Sequence, residues 1–303
     1  MKYLTALLLF IPTVVHAHYL HLPLHSRAAI VVDARTNHIL YEKHADTVRS
    51  IASITKLMTA VVTLDAELPL DEKIQITEED MLAASFRRGK HWVVTSKSLP
   101  VGVRLTRAQL LHLALMNSQN RAAAALARTY PGGVKAFIQA MNNRAAELGM
   151  THTHYVDPTG LYNANVSTAE DLAKLVKAAS DYALIRDFST SVSFETTAYY
   201  KRRMHKLEFG TTNRLVTRNN WDIKLQKTGY IHNAGHCMVM LATFNDKDVI
   251  IVLLHSAGTV SRALDAITIK KWIEKGRVPT RAEVWRANPY RHHYRKRRHK
   301  RHK

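Results

Sequence analysis

Strand-forming segments stand at both ends of this chain and helix-forming segments fill the middle. That order restricts the fold more than any other feature. Residues 28–33 and 38–41 are β-prone and flank Ala34-Arg35-Thr36-Asn37, which reads as a hairpin turn. Far along the chain, residues 236–244 and 249–255 form a second strand pair around Asn245-Asp246-Lys247. Between the pairs the period changes. Ile51, Ile54, Leu57, Met58, Val61, Val62 and Leu64 recur at three and four residues, as on the buried face of a helix. Thr106 is placed to cap a helix facing inward through Leu110, Leu111, Leu113, Ala114 and Leu115. An Ala-rich helix stops before Pro131-Gly132-Gly133, and another over 134–148 ends at Gly149. Ser167-Thr168-Ala169-Glu170 has capping-box spacing ahead of a helix over 171–179. Residues 190–220 read only as short strands and loops, and a last helix over 262–275 is closed by Gly276. Strands from both ends most simply join one antiparallel sheet, leaving the middle helices as a second lobe with a cleft between.

Composition excludes several classes. The 303 residues are 46% hydrophobic and 22% charged, as in an ordinary globular protein. Past the N-terminus no apolar run reaches the roughly 18–20 residues of a spanning helix, so a multi-pass membrane protein is excluded. The formal charge of +20 would suggest nucleic acid, but residues 291–303 hold eight Lys or Arg and no acid, so much of the surplus is an appendix. Residues 1–17 have the form of a secretory signal: Lys2, an apolar stretch over 4–15, then Val15-His16-Ala17 at the cleavage site. Export to the periplasm is therefore expected, and no nucleic-acid partner. Cys237 is the single cysteine and lies in an apolar run, so it reads as a buried strand residue and not a nucleophile. The scattered His residues lack metal-ligand spacing, and no metal or other cofactor is expected.

Three short motifs carry the chemistry. Ser53-Ile54-Thr55-Lys56 sets a hydroxyl and an amine on one helix face, where a neutral amine could take the serine proton. Ser53 also lies near a helix start, which favours developing negative charge. A Ser-x-x-Lys match alone arises by chance about once per chain. Ser118-Gln119-Asn120 falls where the helical pattern breaks, and Lys227-Thr228-Gly229 precedes the strand pair. The three patterns occur once each, in the order of the acyl-enzyme scheme that uses them together.

With these motifs the chain resembles the low-molecular-mass penicillin-binding proteins of the D-alanyl-D-alanine peptidase group, nearest to their endopeptidase type. The resemblance extends to ASITKLMTA from Ala52, LALMNSQNRAAA from Leu113, DPTGL from Asp157, NVSTAEDL from Asn165 and KTGYIHNAG from Lys227. It covers roughly residues 26–276, with Gln119 departing from the residues common at its position. It implies an α+β, β-lactamase/D,D-peptidase-like fold: an antiparallel sheet flanked by helices plus a mostly helical lobe, with the site in the cleft. The implied division is a signal at 1–17, a catalytic domain at 18–276 and a basic, disordered tail at 277–303. Within the domain, 26–65 and 190–276 would form the α/β lobe and 66–189 the helical lobe.

The resemblance also implies a mechanism. Ser53 attacks a D-alanyl carbonyl and forms an acyl-enzyme that water hydrolyses. Lys56 is the base, its pKa lowered by burial and by the neighbouring cation Lys227. Ser118 passes a proton to the leaving amine, and Asn120 binds substrate and places Lys56. Lys227 and Thr228 bind the adjacent carboxylate, and Gly229 lets the substrate lie close to its strand. The backbone N–H groups of Ser53 and Tyr230 form the oxyanion hole. The substrate would be peptidoglycan stem peptide, and β-lactams would be covalent inhibitors.

Endopeptidase and carboxypeptidase present nearly the same chemistry to these motifs, since both leaving amines sit on a D-centre bearing a carboxylate. A non-catalytic wall scaffold is the alternative of another class. A β-lactamase would need a further Glu, but Glu147 and Glu170 lack that arrangement, and Glu170 reads as a helix cap. The tail over 291–303 is either a solvated extension or a contact for anionic membrane or wall polymer.

Overall fold

The computed structural model describes residues 21–88, 91–93 and 98–291. The expected secretory signal and all of the basic run beyond Arg291 lie outside the described residues. The chain runs β1 (Ala28–Asp33), β2 (Ile39–Lys43), β3 (Arg49–Ser50), a 3-10 turn (Ala52–Ile54), α1 (Thr55–Asp65), β4 (Lys73–Gln75) and α2 (Glu78–Ala83). It continues through β5 (Phe86–Arg88), β6 (His91–Val93), β7 (Arg104–Thr106), α3 (Arg107–Met116), α4 (Asn120–Arg128), α5 (Gly133–Glu147) and β8 (Val166–Ser167). Then come α6 (Ala169–Ala179), α7 (Ala183–Thr190), β9 (Ser193–Tyr200), β10 (Arg203–Gly210), β11 (Asp222–Ile231), β12 (Gly235–Phe244), β13 (Lys247–Ser256), α8 (Thr259–Lys275) and α9 (Arg281–Arg286).

Strands from both chain ends form one antiparallel sheet in the order β11-β12-β13-β1-β2, as the sequence order predicts. Both faces are covered, so its inner strands are continuous apolar runs. Side chains alternate across it. Ala28, Ile30, Val32, Cys237, Val239, Leu241, Ile250, Val252 and Leu254 face the helical core. Ala29, Val31, Met238, Met240, Phe244, Ile251 and Leu253 face the opposite core, which holds Ala266, Ile267 and Ile269 of α8. Every residue of α1 from Thr55 to Thr63 is buried, because α3, α4, α5 and α6 pack around it. The lobe boundaries drawn at 65 and 189 do not follow this packing. α1 stands among the helices, whereas α6 lies against β1, β12 and β13.

Other differences are local. α6 is capped by Thr168, whose hydroxyl accepts from Asp171 N at 3.1 Å. Glu170 is not the cap partner, because Asp171 occupies the third helical position and also accepts from His152 N and Thr153 Oγ1. Residues 193–210 form one long hairpin, turned by Lys201 and Arg202 in left-handed conformation. Its inner face of Phe194, Ala198, Leu207 and Phe209 alternates with charged residues that masked the pattern. The expected disordered tail from 277 instead includes α9, capped by Thr280 with Glu283 and seated through Val284 on the α8 side of the sheet. Among the described residues no helix is long and apolar enough to cross a membrane.

The segment entering β1 is held to α8 by one buried carboxylate. Asp265 accepts from the N–H groups of His25 and Ser26 at 2.8 and 2.7 Å, and from the His25 ring and the Ser26 hydroxyl at 2.8 and 2.6 Å. Asp265→Ala strands these donors and should cost about 3 kcal/mol in urea unfolding. It should also expose the segment before Ala28 to limited proteolysis.

Candidate active site

Ser53 lies in the 3-10 turn leading into α1, clamped between two glycines. Ala52 is left-handed at φ 49°, a conformation costing on the order of 1–3 kcal/mol that the surroundings must enforce. Gly160 approaches from one side, where a Cβ would sit 2.0 Å from Ala52 O and 2.9 Å from Ser53 N. Gly229 approaches from the other, where a Cβ would sit 3.0 Å from Ser53 N and 3.1 Å from Ile51 O. Gly160 has no room for a side chain, and a methyl at Gly229 requires the neighbouring backbone to give by a few tenths of an ångström.

Lys56, one helical turn after Ser53, is fully buried. Its Nζ lies 2.9 Å from Ser53 Oγ, 2.7 Å from Asn120 Oδ1 and 2.5 Å from the Thr159 carbonyl. A charged amine donates to all three. A neutral amine keeps two N–H groups, enough for the two fixed acceptors, and turns its lone pair to the serine hydroxyl. Burial lowers the Lys56 pKa to about 7, and the Asp157 carboxylate opposes that shift.

Asn120 begins α4 and Ser118 lies in the sharp turn before it, left-handed at φ 63°. Ser118 Oγ accepts from Lys227 Nζ at 2.9 Å, and the same Nζ donates to Thr228 O at 2.8 Å. Lys227 is fully buried, and burial, Lys56 and Arg262 all push its pKa well down. Burial is the first cause of the downward shift for both lysines. Gln119, the departure from the family pattern, donates to Asn117 Oδ1 at 2.6 Å.

β11 is an edge strand, and its polar backbone is covered only in part. Gln226 N donates outward to Ser189 Oγ of α7 at 3.2 Å. Backbone groups alternate sides along a strand, and the β11–β12 register runs unbroken from Leu225 to Ile231. The N–H groups of Thr228 and Tyr230 therefore also point away from β12, at the cleft. Thr228 Oγ1 lies 2.6 Å from Thr212 Oγ1, and Thr212 N donates to Met116 O at 3.3 Å, tying the strand to the end of α3.

All eight sequence-predicted residues thus meet in one cleft, and four others join them. Thr159 supplies a carbonyl to Lys56, and Asp157 holds the turn containing it. Asn165 Nδ2 bridges Thr55 Oγ1 at 3.0 Å and Asp157 O at 2.9 Å. Arg262, in the first turn of α8, is buried and donates to Cys237 O at 2.8 Å. The resemblance takes in DPTGL from Asp157 without giving those residues a role, and a lone Arg on a helix carries no signal. Cys237 is buried, and burial pushes its thiol up to about 11, unsuited to attack. Among the described residues no cluster of His, Cys, Asp and Glu could hold a metal.

An antiparallel sheet between helices, with Ser and Lys opening a buried helix and Lys-Thr-Gly on the facing edge strand, is the β-lactamase/D,D-peptidase fold. Within it, the chain belongs to the D-alanyl-D-alanine carboxypeptidase family, whose model matches residues 14–258. It is 47% identical to the D-alanyl-D-alanine endopeptidase of Escherichia coli, over 84% of this chain and 78% of that one. It is 43% identical to the D-alanyl-D-alanine endopeptidase of Pseudomonas aeruginosa, over 86% and 82%. Among solved structures, the Streptomyces K15 DD-transpeptidase superposes with a TM-score of 0.72 at 31% identity, covering 80% of this chain and 94% of that one. Penicillin-binding protein D2 of Listeria monocytogenes, in its ampicillin-bound form, gives 0.67 at 28% identity over 81% and 96%. The chain is a serine D,D-peptidase acting on peptidoglycan.

Gly229→Ala tests the fit around Ser53. The added methyl pushes the serine N–H by a few tenths of an ångström. Acylation by a fluorescent penicillin should slow about tenfold, part of the ~10²-fold that a 1 Å misplacement costs. The melting temperature should move little.

Proposed function

We propose that the chain hydrolyses D-alanyl–diaminopimelate cross-links through an acyl-enzyme on Ser53. The observation that carries this reading is the buried Lys56 amine, 2.9 Å from Ser53 Oγ and held by Asn120 Oδ1 and Thr159 O. Neutral Lys56 takes the serine proton as Oγ bonds to the carbonyl carbon of the D-alanine. The oxyanion is received by the N–H groups of Ser53 and Tyr230. As the tetrahedral intermediate collapses, the C–N bond breaks and the proton taken by Lys56 passes through Ser118 to the leaving amine, returning Lys56 to its neutral form. Neutral Lys56 then takes a proton from water as it attacks the ester, and Ser53 Oγ leaves with that proton. Lys227 and Thr228 bind the carboxylate beside the scissile bond, while Asn120 holds the substrate amide. Gly229 leaves space for the substrate to lie along the open edge of β11.

The endopeptidase choice rests on similarity to the two endopeptidases over most of both chains. The carboxypeptidase reading is supported by the family description and by the carboxylate common to both leaving groups. A β-lactam would acylate the same serine. Residues 1–17 would direct the chain to the periplasm, and the basic run over 291–303 would add a salt-sensitive contact with anionic lipid or wall polymer.

Penicillin labelling of wild type against Ser53→Ala, followed by digestion of cross-linked muropeptide dimers, tests the reading. Label lost in the variant, with dimers converted to monomers, is the expected result. Label without dimer cleavage would transfer the reading to carboxypeptidase. The rate of labelling should also rise as pH climbs through about 7, because only deprotonated Lys56 can act as base. A rate independent of pH across that region would contradict the role of Lys56.

A further inference from the structure

The 157–160 turn touches both halves of the catalytic pair. Asp157 is buried, and its carboxylate accepts from Thr159 N at 2.8 Å, from Gly160 N at 3.1 Å and from the Thr159 hydroxyl. These bonds fold the turn so that the Thr159 carbonyl meets Lys56 Nζ at 2.5 Å. One residue on, Gly160, left-handed at φ +79°, lies directly against the backbone of Ala52 and Ser53. Two further bonds anchor the turn to α1. Thr59 Oγ1 donates to Pro158 O at 2.7 Å, and the Asn165 amide joins Asp157 O to Thr55 Oγ1.

We propose that Asp157 is a positioning residue for acyl transfer, fixing in one turn both the carbonyl that aims the Lys56 amine and the glycine that seats Ser53. Its carboxylate is committed to the turn and acts through Thr159 and Gly160. The proposal rests on the reading of Lys56 as the base. It also predicts an electrostatic role. The elements packed around Lys56 contribute Asp157 from the turn, Lys227 from β11 and the neutral Asn120 from α4, with Arg262 of α8 acting on Lys227. Asp157 is the anion of this group, so its loss leaves Lys56 facing cations alone.

The test is the pH dependence of Ser53 acylation by a fluorescent penicillin, with melting temperature followed in parallel. Asp157→Asn should move the acidic limb to lower pH and reduce the plateau at least tenfold. Asp157→Glu keeps the charge but displaces the oxygens, so its limb should stay while its plateau falls. Thr159→Val removes one bond and no charge, and should leave the limb in place. A merely structural role would lower the melting temperature and the plateau of Asp157→Asn without moving the limb, and that result overturns the proposal. If Asp157→Asn does not fold, a wild-type plateau in Asp157→Glu overturns it equally. Absence of labelling in the wild type would instead strike the reading of Ser53 and Lys56, so the two failures are distinguishable.

Discussion

The structure depends on the burial of one amine. Lys56 Nζ has no exposed surface and three acceptors, each from a different part of the chain: its own helix turn, the start of α4 and the turn after α5. An unpaired ammonium at this depth would be prohibitively unstable, so these parts must assemble together or leave the amine unsatisfied. The same burial makes the group useful. It brings the pKa to about 7, where a lysine can be both a neutral base and a proton carrier.

A second buried amine shares the cleft, and the pair defines the site's electrostatics. Lys227 is pressed toward the neutral form by burial, by Lys56 and by Arg262. Its bonds go to Ser118 Oγ and a carbonyl, neither carrying charge. An arriving carboxylate would relieve this and favour protonated Lys227, while Lys56 could stay neutral. The cleft thus presents a positive wall to an anionic leaving group and a neutral base to the nucleophile, using the same residue type twice. Hydrogen-bond partners separate the two roles, Ser53 Oγ for Lys56 and Ser118 Oγ for Lys227.

Close backbone approach is the other constraint. Gly160 and Gly229 press on the same serine N–H from opposite sides, and Ala52 and Ser118 hold left-handed backbone at the two turns that carry the chemistry. These strained positions persist because buried hydrogen bonds surround them, as around Asp157 and Asn165.

The strands of residues 28–33 and 236–244 were legible because period and composition act locally, and the Thr106 cap because it is a bond between near neighbours. Charged residues hid the hairpin over 193–210, since its apolar face is defined only once it lies on the helices. The three motifs marked seven of the eight candidate residues and the resemblance added Tyr230, because an acyl-enzyme needs a hydroxyl, amines and an amide whatever the scaffold. What remained hidden was the support behind those residues: the Thr159 carbonyl, the Asp157 turn and Arg262 behind the strand. By itself the sequence determined which chemical groups are present and which segments are strands or helices. Only the tertiary structure decided how the Lys56 amine is held and that burial brings its pKa to about 7, because both depend on groups distant in the chain.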